Sequence, residues 1–111
     1  MKKPMSPFSM KVCELASSVP AGYVTTYGHI ARAAGGGAQS ARSITAILSK
    51  AEQEHGLVVP WHRIVYADGR VWFSNEHEQE RRKLYKKEGI ELDAKDRIRN
   101  FDEKLYWFDE M

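Results

Sequence analysis

The sequence has a single cysteine, Cys13, among its 111 residues. One thiol excludes an internal disulfide framework and a zinc cluster built from several cysteines. That scarcity fits a reducing cytoplasm or nucleoid. Long apolar runs are also missing. The opening stretch, MKKPMSPFSM, carries two lysines with no hydrophobic segment behind them, so it does not read as a signal peptide. No run approaches the roughly 20 apolar residues of a transmembrane helix, and no membrane partner is expected. His29, His55, His62 and His77 show no metal-ligand spacing such as HExxH. Neither a metal nor another cofactor is therefore expected.

What is present reads as a globular protein. Hydrophobic residues make up 42% and charged residues 29%, the ordinary balance of a chain that buries a core. At this length one domain is expected over residues 1–111, with its core at about 8–92 and a tail, 93–111, packed on the body. The late aromatics Phe101, Tyr106, Trp107 and Phe108 argue against a disordered tail. Charge is uneven. Residues 1–75 hold eight Lys/Arg against four Asp/Glu, a net of +4, and residues 76–111 hold nine against eleven, a net of −2. Either the surface is simply solvated, or a mildly basic face meets a polyanion.

Periodicity predicts a mostly helical chain with a short β hairpin. Residues 6–18 read as an amphipathic helix, with Ser6 as cap, Pro7 in the first turn, and Phe8, Val12, Leu15 and Ala16 at helical spacing. The segment YVTTY is rich in strand formers. Thr26 caps a second helix, closed by the glycines at 35–37. The stretch AQSARSITAILSKAEQE predicts a third, with Ala41, Ile44, Ile47 and Leu48 on one side. Two short helices around a glycine-containing turn fit a helix-turn-helix or winged relative. Asp68-Gly69 between apolar runs predicts the hairpin or an extended loop. NEHEQERRKLYKKEG predicts a charged helix ending at Gly89, and IEL a short strand.

One tetrapeptide stands out: Pro60-Trp61-His62-Arg63, at the end of an extended apolar run. Pro60 fixes its own backbone and restricts Val59 to extended geometry. Trp61 is no nucleophile; it offers a ring face and one N–H donor. That face can stack on a base, worth roughly 1–3 kcal/mol. His62 donates or accepts near neutral pH, and Arg63 can hold a carboxylate or phosphate with two bonds. The other reading is packing, with Trp61 in the core and its neighbours satisfying nearby groups.

VPAGYVTTYGHIA, SARSITAI and VPWHRIVYADG follow one another in that order. Together, over about residues 8–92, they resemble the DNA-binding domain of the O6-alkylguanine-DNA alkyltransferases. In the active transferases the tetrapeptide is Pro-Cys-His-Arg, and its cysteine accepts the alkyl group. Trp61 stands at that position here. This substitution marks the alkyltransferase-like proteins, which bind alkylated DNA without repairing it, and the chain is identified as a member of that group.

The resemblance implies a winged helix-turn-helix-like fold that binds duplex DNA from the minor groove and rotates the damaged guanine out of the stack. Tyr27 matches the tyrosine that crowds the phosphate beside the flipped nucleotide. Arg42 matches the arginine that enters the vacated space, where a flat guanidinium can stack and bond the orphan base. Thr26, Ser40 and Thr45 are expected beside them on the DNA. The lesion pocket is expected to draw on Trp61, Tyr27, Val59, Pro60, His62, Arg63, Arg70, Trp72 and Ser74, with Val59 accepting from the guanine amino group through its carbonyl. Trp72 and Phe73 either extend the pocket or belong to the core. With nothing to activate, His62 and Arg63 are expected to hold the pocket segment. The implied partners are double-stranded DNA containing O6-alkylguanine and nucleotide excision repair proteins, met by a monomer.

The chain departs from the family at three points. Thr45 stands where the recognition helix carries a very small residue. The segment before Trp61 is slightly longer and lacks a bracing asparagine. Ser74 falls where a loop arginine contacts the lesion in some relatives, so either lesion discrimination is weaker or Arg70 or Asn75 substitutes. The rival reading is a helix-turn-helix transcription regulator using the SARSITAILSK helix in the major groove. Its front offers little base-reading vocabulary beyond Arg42. Catalysis through Cys13 is disfavoured, since Cys13 falls in an amphipathic helix as a small hydrophobe.

Overall fold

The computed structural model describes residues 6–36, 42–71, 73 and 76–108. Ser40, Ala41, Trp72, Ser74 and Asn75 lie outside these described residues. The first helix, α1, spans Pro7–Ser18, and the Ser6 hydroxyl accepts from the Ser9 N–H at its start. Val12, Cys13 and Ala16 form its buried stripe. A two-residue strand, β1 (Thr25–Thr26), leads directly into α2 (Tyr27–Ala33). Thr26 caps that helix by accepting from the His29 N–H at 3.1 Å. Helix α3 follows over Ile44–His55 and buries Ile44, Leu48 and Ala51, spaced four and three residues apart. Gly56, at φ 69°, closes it in the left-handed conformation that a β-carbon disfavours.

A 3-10 turn, Trp61–Arg63, runs into β2 (Ile64–Val65). Two further helices follow among the described residues, α4 (Glu78–Lys87) and α5 (Phe101–Lys104). The two strands pair in parallel, Thr25 with Ile64 and Thr26 with Val65. Parallel strands need a long crossover, and α2 with α3 supplies it.

The predicted hairpin is therefore corrected. The Asp68-Gly69 turn forms, with the Tyr66 N–H donating to the Arg70 carbonyl at 3.0 Å and the Asp68 carboxylate accepting from the Arg70 N–H at 3.0 Å. The chain leaving it does not return to β2. Val71 donates to the Asp96 carbonyl, and Ile98 donates back to the Gly69 carbonyl, each at 2.9 Å. The predicted strand at 90–92 is likewise reduced to a single antiparallel bridge between Leu92 and Ile98. Helix α4 begins at Glu78, three residues after the predicted start.

Two apolar clusters hold the fold. One joins α1, α2 and α3 through Val12, Ile30, Ile44 and Leu48, all fully buried, and takes in Val59 and Ile64. Burying each such side chain contributes roughly 1.5–3 kcal/mol. The other gathers Val24, Val65, Val71, Tyr85, Ile90 and Ile98. Residues 104–108 lie on the body. Val24 donates to the Lys104 carbonyl at 2.9 Å, and Tyr106 donates to the Val24 carbonyl at 2.7 Å. Phe108 packs on the first cluster.

Candidate nucleic-acid interface

Trp61 opens the 3-10 turn that joins the two clusters. Val59, just before it, is 7% exposed and anchors the turn in the first cluster. The Trp61 N–H donates to the Val59 carbonyl, and the Arg63 N–H to the Pro60 carbonyl, each at 2.9 Å. That carbonyl of Val59 is thus already engaged by the turn. The indole is half-buried against the first cluster. Its Nε1–H donates to Oε2 of Glu52, on α3, at 2.9 Å.

His62 and Arg63 turn the other way, toward Glu88 at the end of α4. His62 Nε2 lies 2.7 Å from Glu88 Oε2. Arg63 donates from Nη2 to Oε2 at 2.8 Å and from Nη1 to the Val19 carbonyl at 3.1 Å. The Gly22 N–H donates to Oε1 at 3.0 Å. Burial alone would raise the Glu88 carboxyl, whose side chain is 6% exposed. The bonds from Arg63, the Gly22 amide and His62 outweigh burial and hold it at about 2. This carboxylate ties α4, the α1–β1 connection and the Trp61 turn together.

A cleft of about 440 Å³ lies along Trp61, within the range of small-molecule sites. Val59, Trp61 and His62 form one wall; Glu52, His77, Glu80, Arg81 and Leu84 form the rest. Pro60 and Arg63, expected in the same pocket, line a neighbouring cleft of about 430 Å³ with Val58. Arg63 is placed there by its bonds to Glu88 and Val19, so its role in this geometry is to hold the turn.

Tyr27 begins α2 and leans on Tyr66, ring centroids 6.1 Å apart. Burial raises the Tyr27 phenol above its ordinary value, and the Tyr66 phenol adds to the effect. A hydrogen bond with Thr45 and the charge of Arg81 draw it back. Thr45, on the exposed face of α3, is thus in contact with Tyr27. Arg42 is exposed in the turn that leads into α3. Arg70 stacks over the Tyr66 ring at 5.1 Å, extending the Tyr27–Tyr66 row, and does not line the Trp61 cleft. Phe73, partly buried, packs against the second cluster edge-on to Tyr85 at 6.3 Å, with Arg82 over its ring, which places it at the edge of the core.

Sequence reasoning missed Glu52, Arg81, Glu88 and Tyr66. Arg81, Leu84 and Glu88 recur at helical spacing, a signal that one face of α4 meets the body. Nothing local marks Glu52. Cys13 sits in the first cluster, and burial pushes its thiol up, away from the thiolate a nucleophile needs. Among the described residues no group of three or more His, Cys, Asp or Glu is arranged to hold a metal ion.

Residues 7–90 match the family described as 6-O-methylguanine DNA methyltransferase, DNA binding domain. The chain is 31% identical over 91 residues to the DNA base-flipping protein of Escherichia coli (strain K12), covering 82% of this chain and 68% of that one. It is 31% identical over 87 residues to the methylated-DNA–protein-cysteine methyltransferase of Methanothermobacter thermautotrophicus, covering 78% and 47%. Among solved structures it is similar to S. pombe Atl1 in complex with damaged DNA containing O6-carboxymethylguanine, with a TM-score of 0.69 and 28% identity, covering 94% of this chain and 98% of that one.

Proposed function

This chain belongs to the 6-O-methylguanine DNA methyltransferase DNA-binding family, as an alkyltransferase-like protein, and on that premise we propose that it recognises O6-alkylguanine in duplex DNA without removing the alkyl group. The observation that carries the proposal is Trp61 beside an open cleft, its indole held by Glu52; the resemblance assigns this position to the acceptor cysteine of the Pro-Cys-His-Arg tetrapeptide. An indole presents a face for a flat base and no group that accepts carbon.

The mechanism proposed is the one the family resemblance implies, carried onto these residues. Arg42, exposed in the turn before α3, enters the minor groove with Thr45 beside it on the DNA, whereas Thr26, expected on the DNA, is buried with its hydroxyl capping α2 and is corrected to a helix cap. Tyr27, braced by Tyr66, crowds the phosphate next to the damaged nucleotide. Extruding that nucleotide costs a few kcal/mol, less when pairing is already weak. An O6-alkyl group removes the N1 proton of guanine and weakens its pairing, so selection begins with extrusion. Arg42 fills the gap, and the base lies on Trp61. A binder that does not repair must pass the lesion on, and nucleotide excision repair proteins are the proposed recipients. The protein acts as a monomer in the cytoplasm, on the nucleoid.

The test compares binding to two duplexes, one with a single O6-methylguanine and one with guanine. Preference for the lesion duplex, with no mass gained by the protein after incubation, is the expected result. Equal binding would point to a helix-turn-helix regulator, and a gain of one methyl group would make the protein an enzyme.

A further inference from the structure

The Trp61 cleft carries an uneven charge. Glu52 accepts the indole N–H at 2.9 Å, and Glu80 lines the same cleft from α4. Among the described lining residues, Arg81 is the guanidinium that answers these two carboxylates, with His77 beside it. Arg81 is also within electrostatic reach of the Tyr27 and Tyr85 phenols.

The contact between Glu52 and Trp61 joins two elements. Glu52 is fixed on α3, whose buried face is set by Ile44, Leu48 and Ala51. Trp61 stands on the turn nine residues later. An indole can rotate about its side-chain bonds, and a charge-assisted bond to its N–H selects one orientation. The same carboxylate then sits at the edge of the ring on which a flipped base would lie.

Resting on the damage-recognition reading above, we infer that Glu52 is a positioning and specificity-determining residue: it fixes the plane of Trp61, and its charge makes the cleft favour uncharged O6-alkyl groups over anionic ones. A group packed on the indole face lies about one ring width from the Glu52 carboxylate. Like charges at that range, partly screened by water and salt, change affinity by about three- to tenfold. Uncharged adducts meet no such repulsion and gain the ring contact in full.

The experiment measures fluorescence anisotropy at low salt with duplexes carrying guanine, O6-methylguanine or O6-carboxymethylguanine. Wild-type protein is expected to bind the methyl duplex about three- to tenfold more tightly than the carboxymethyl duplex. Glu52→Gln keeps an acceptor for the indole and loses the charge, so it should hold the methyl affinity and close the gap. Glu52→Ala loses both, and should weaken methyl binding by about tenfold. Wild-type preference for the carboxymethyl duplex, or a gap that survives Glu52→Gln, overturns the charge role. Undiminished methyl binding by Glu52→Ala overturns the positioning role. If wild-type protein binds guanine and O6-methylguanine equally, the recognition reading itself falls and takes this inference with it.

Discussion

Arg63 grips Glu88 through two nitrogens, Nη2 donating to Oε2 at 2.8 Å and Nε to Oε1 at 3.1 Å. The carboxylate is nearly buried, and the guanidinium is 22% exposed. Removing one partner of such a pair leaves the other charge uncompensated, which costs about 3–5 kcal/mol when buried, with the lower end applying at this exposure. Glu88→Gln keeps the shape and removes the charge. It should lower stability by about 3 kcal/mol in urea unfolding. A loss below about 0.5 kcal/mol would show that the turn stands without Glu88.

The same carboxylate sets the acid sensitivity of the fold. Its ordinary value is 4.5, and the folded protein holds it at about 2 against the opposing effect of burial. The folded state therefore binds this proton more weakly than the unfolded chain. The stabilisation is complete above the unfolded value and is lost as pH falls through 4.5 toward 2, an effect of about 3 kcal/mol. Between about pH 5 and 3 the Tm of wild-type protein should fall by about 10 °C more than that of Glu88→Gln. Parallel curves for the two proteins would place the acid response elsewhere.

The helix starts at Ser6 and Thr26 are legible in the sequence because a cap is local: a short hydroxyl side chain meets the N–H three residues on. The pairing of β2 is not. Asp68-Gly69 announces a turn, but which segment the departing chain joins depends on residues 96–98, far along the sequence. The site divides in the same way. The tetrapeptide at 60–63 stands out by its composition, and Tyr27 and Arg42 only through the family resemblance that the ordered motifs carry. Glu52 and Glu88 do not, since a glutamate on a helix reads as solvated until packing shows what it faces. Arg70 was drawn toward the pocket by its closeness in sequence, and Tyr66 takes it instead.

Gly69 gives a direct test of how that turn is held. Its φ is +84°, and a β-carbon there would sit 3.0 Å from the Phe101 ring. Gly69→Ala thus adds both a backbone penalty and a steric one. A loss of about 2 kcal/mol is expected, or a Tm lower by about 10 °C. Phe101→Leu, with a smaller side chain, should return part of the loss in the double variant. Strict additivity of the two substitutions would locate the strain in the backbone alone.

Arg42 distinguishes a stacking guanidinium from a simple counter-charge. It is exposed and stands at the entrance to α3, where either role is accessible. A counter-charge can be replaced by lysine, because an ammonium neutralises a phosphate as well. A group that fills the space left by a flipped base cannot, because an ammonium has no flat face. If Arg42 occupies that space, Arg42→Ala should weaken binding to an O6-methylguanine duplex by at least about tenfold, and Arg42→Lys should recover little of it. Both variants should still bind guanine duplexes with a salt dependence close to that of wild type. Full recovery by lysine, with the salt slope changed by about one unit in the alanine variant, would assign Arg42 to the phosphate backbone.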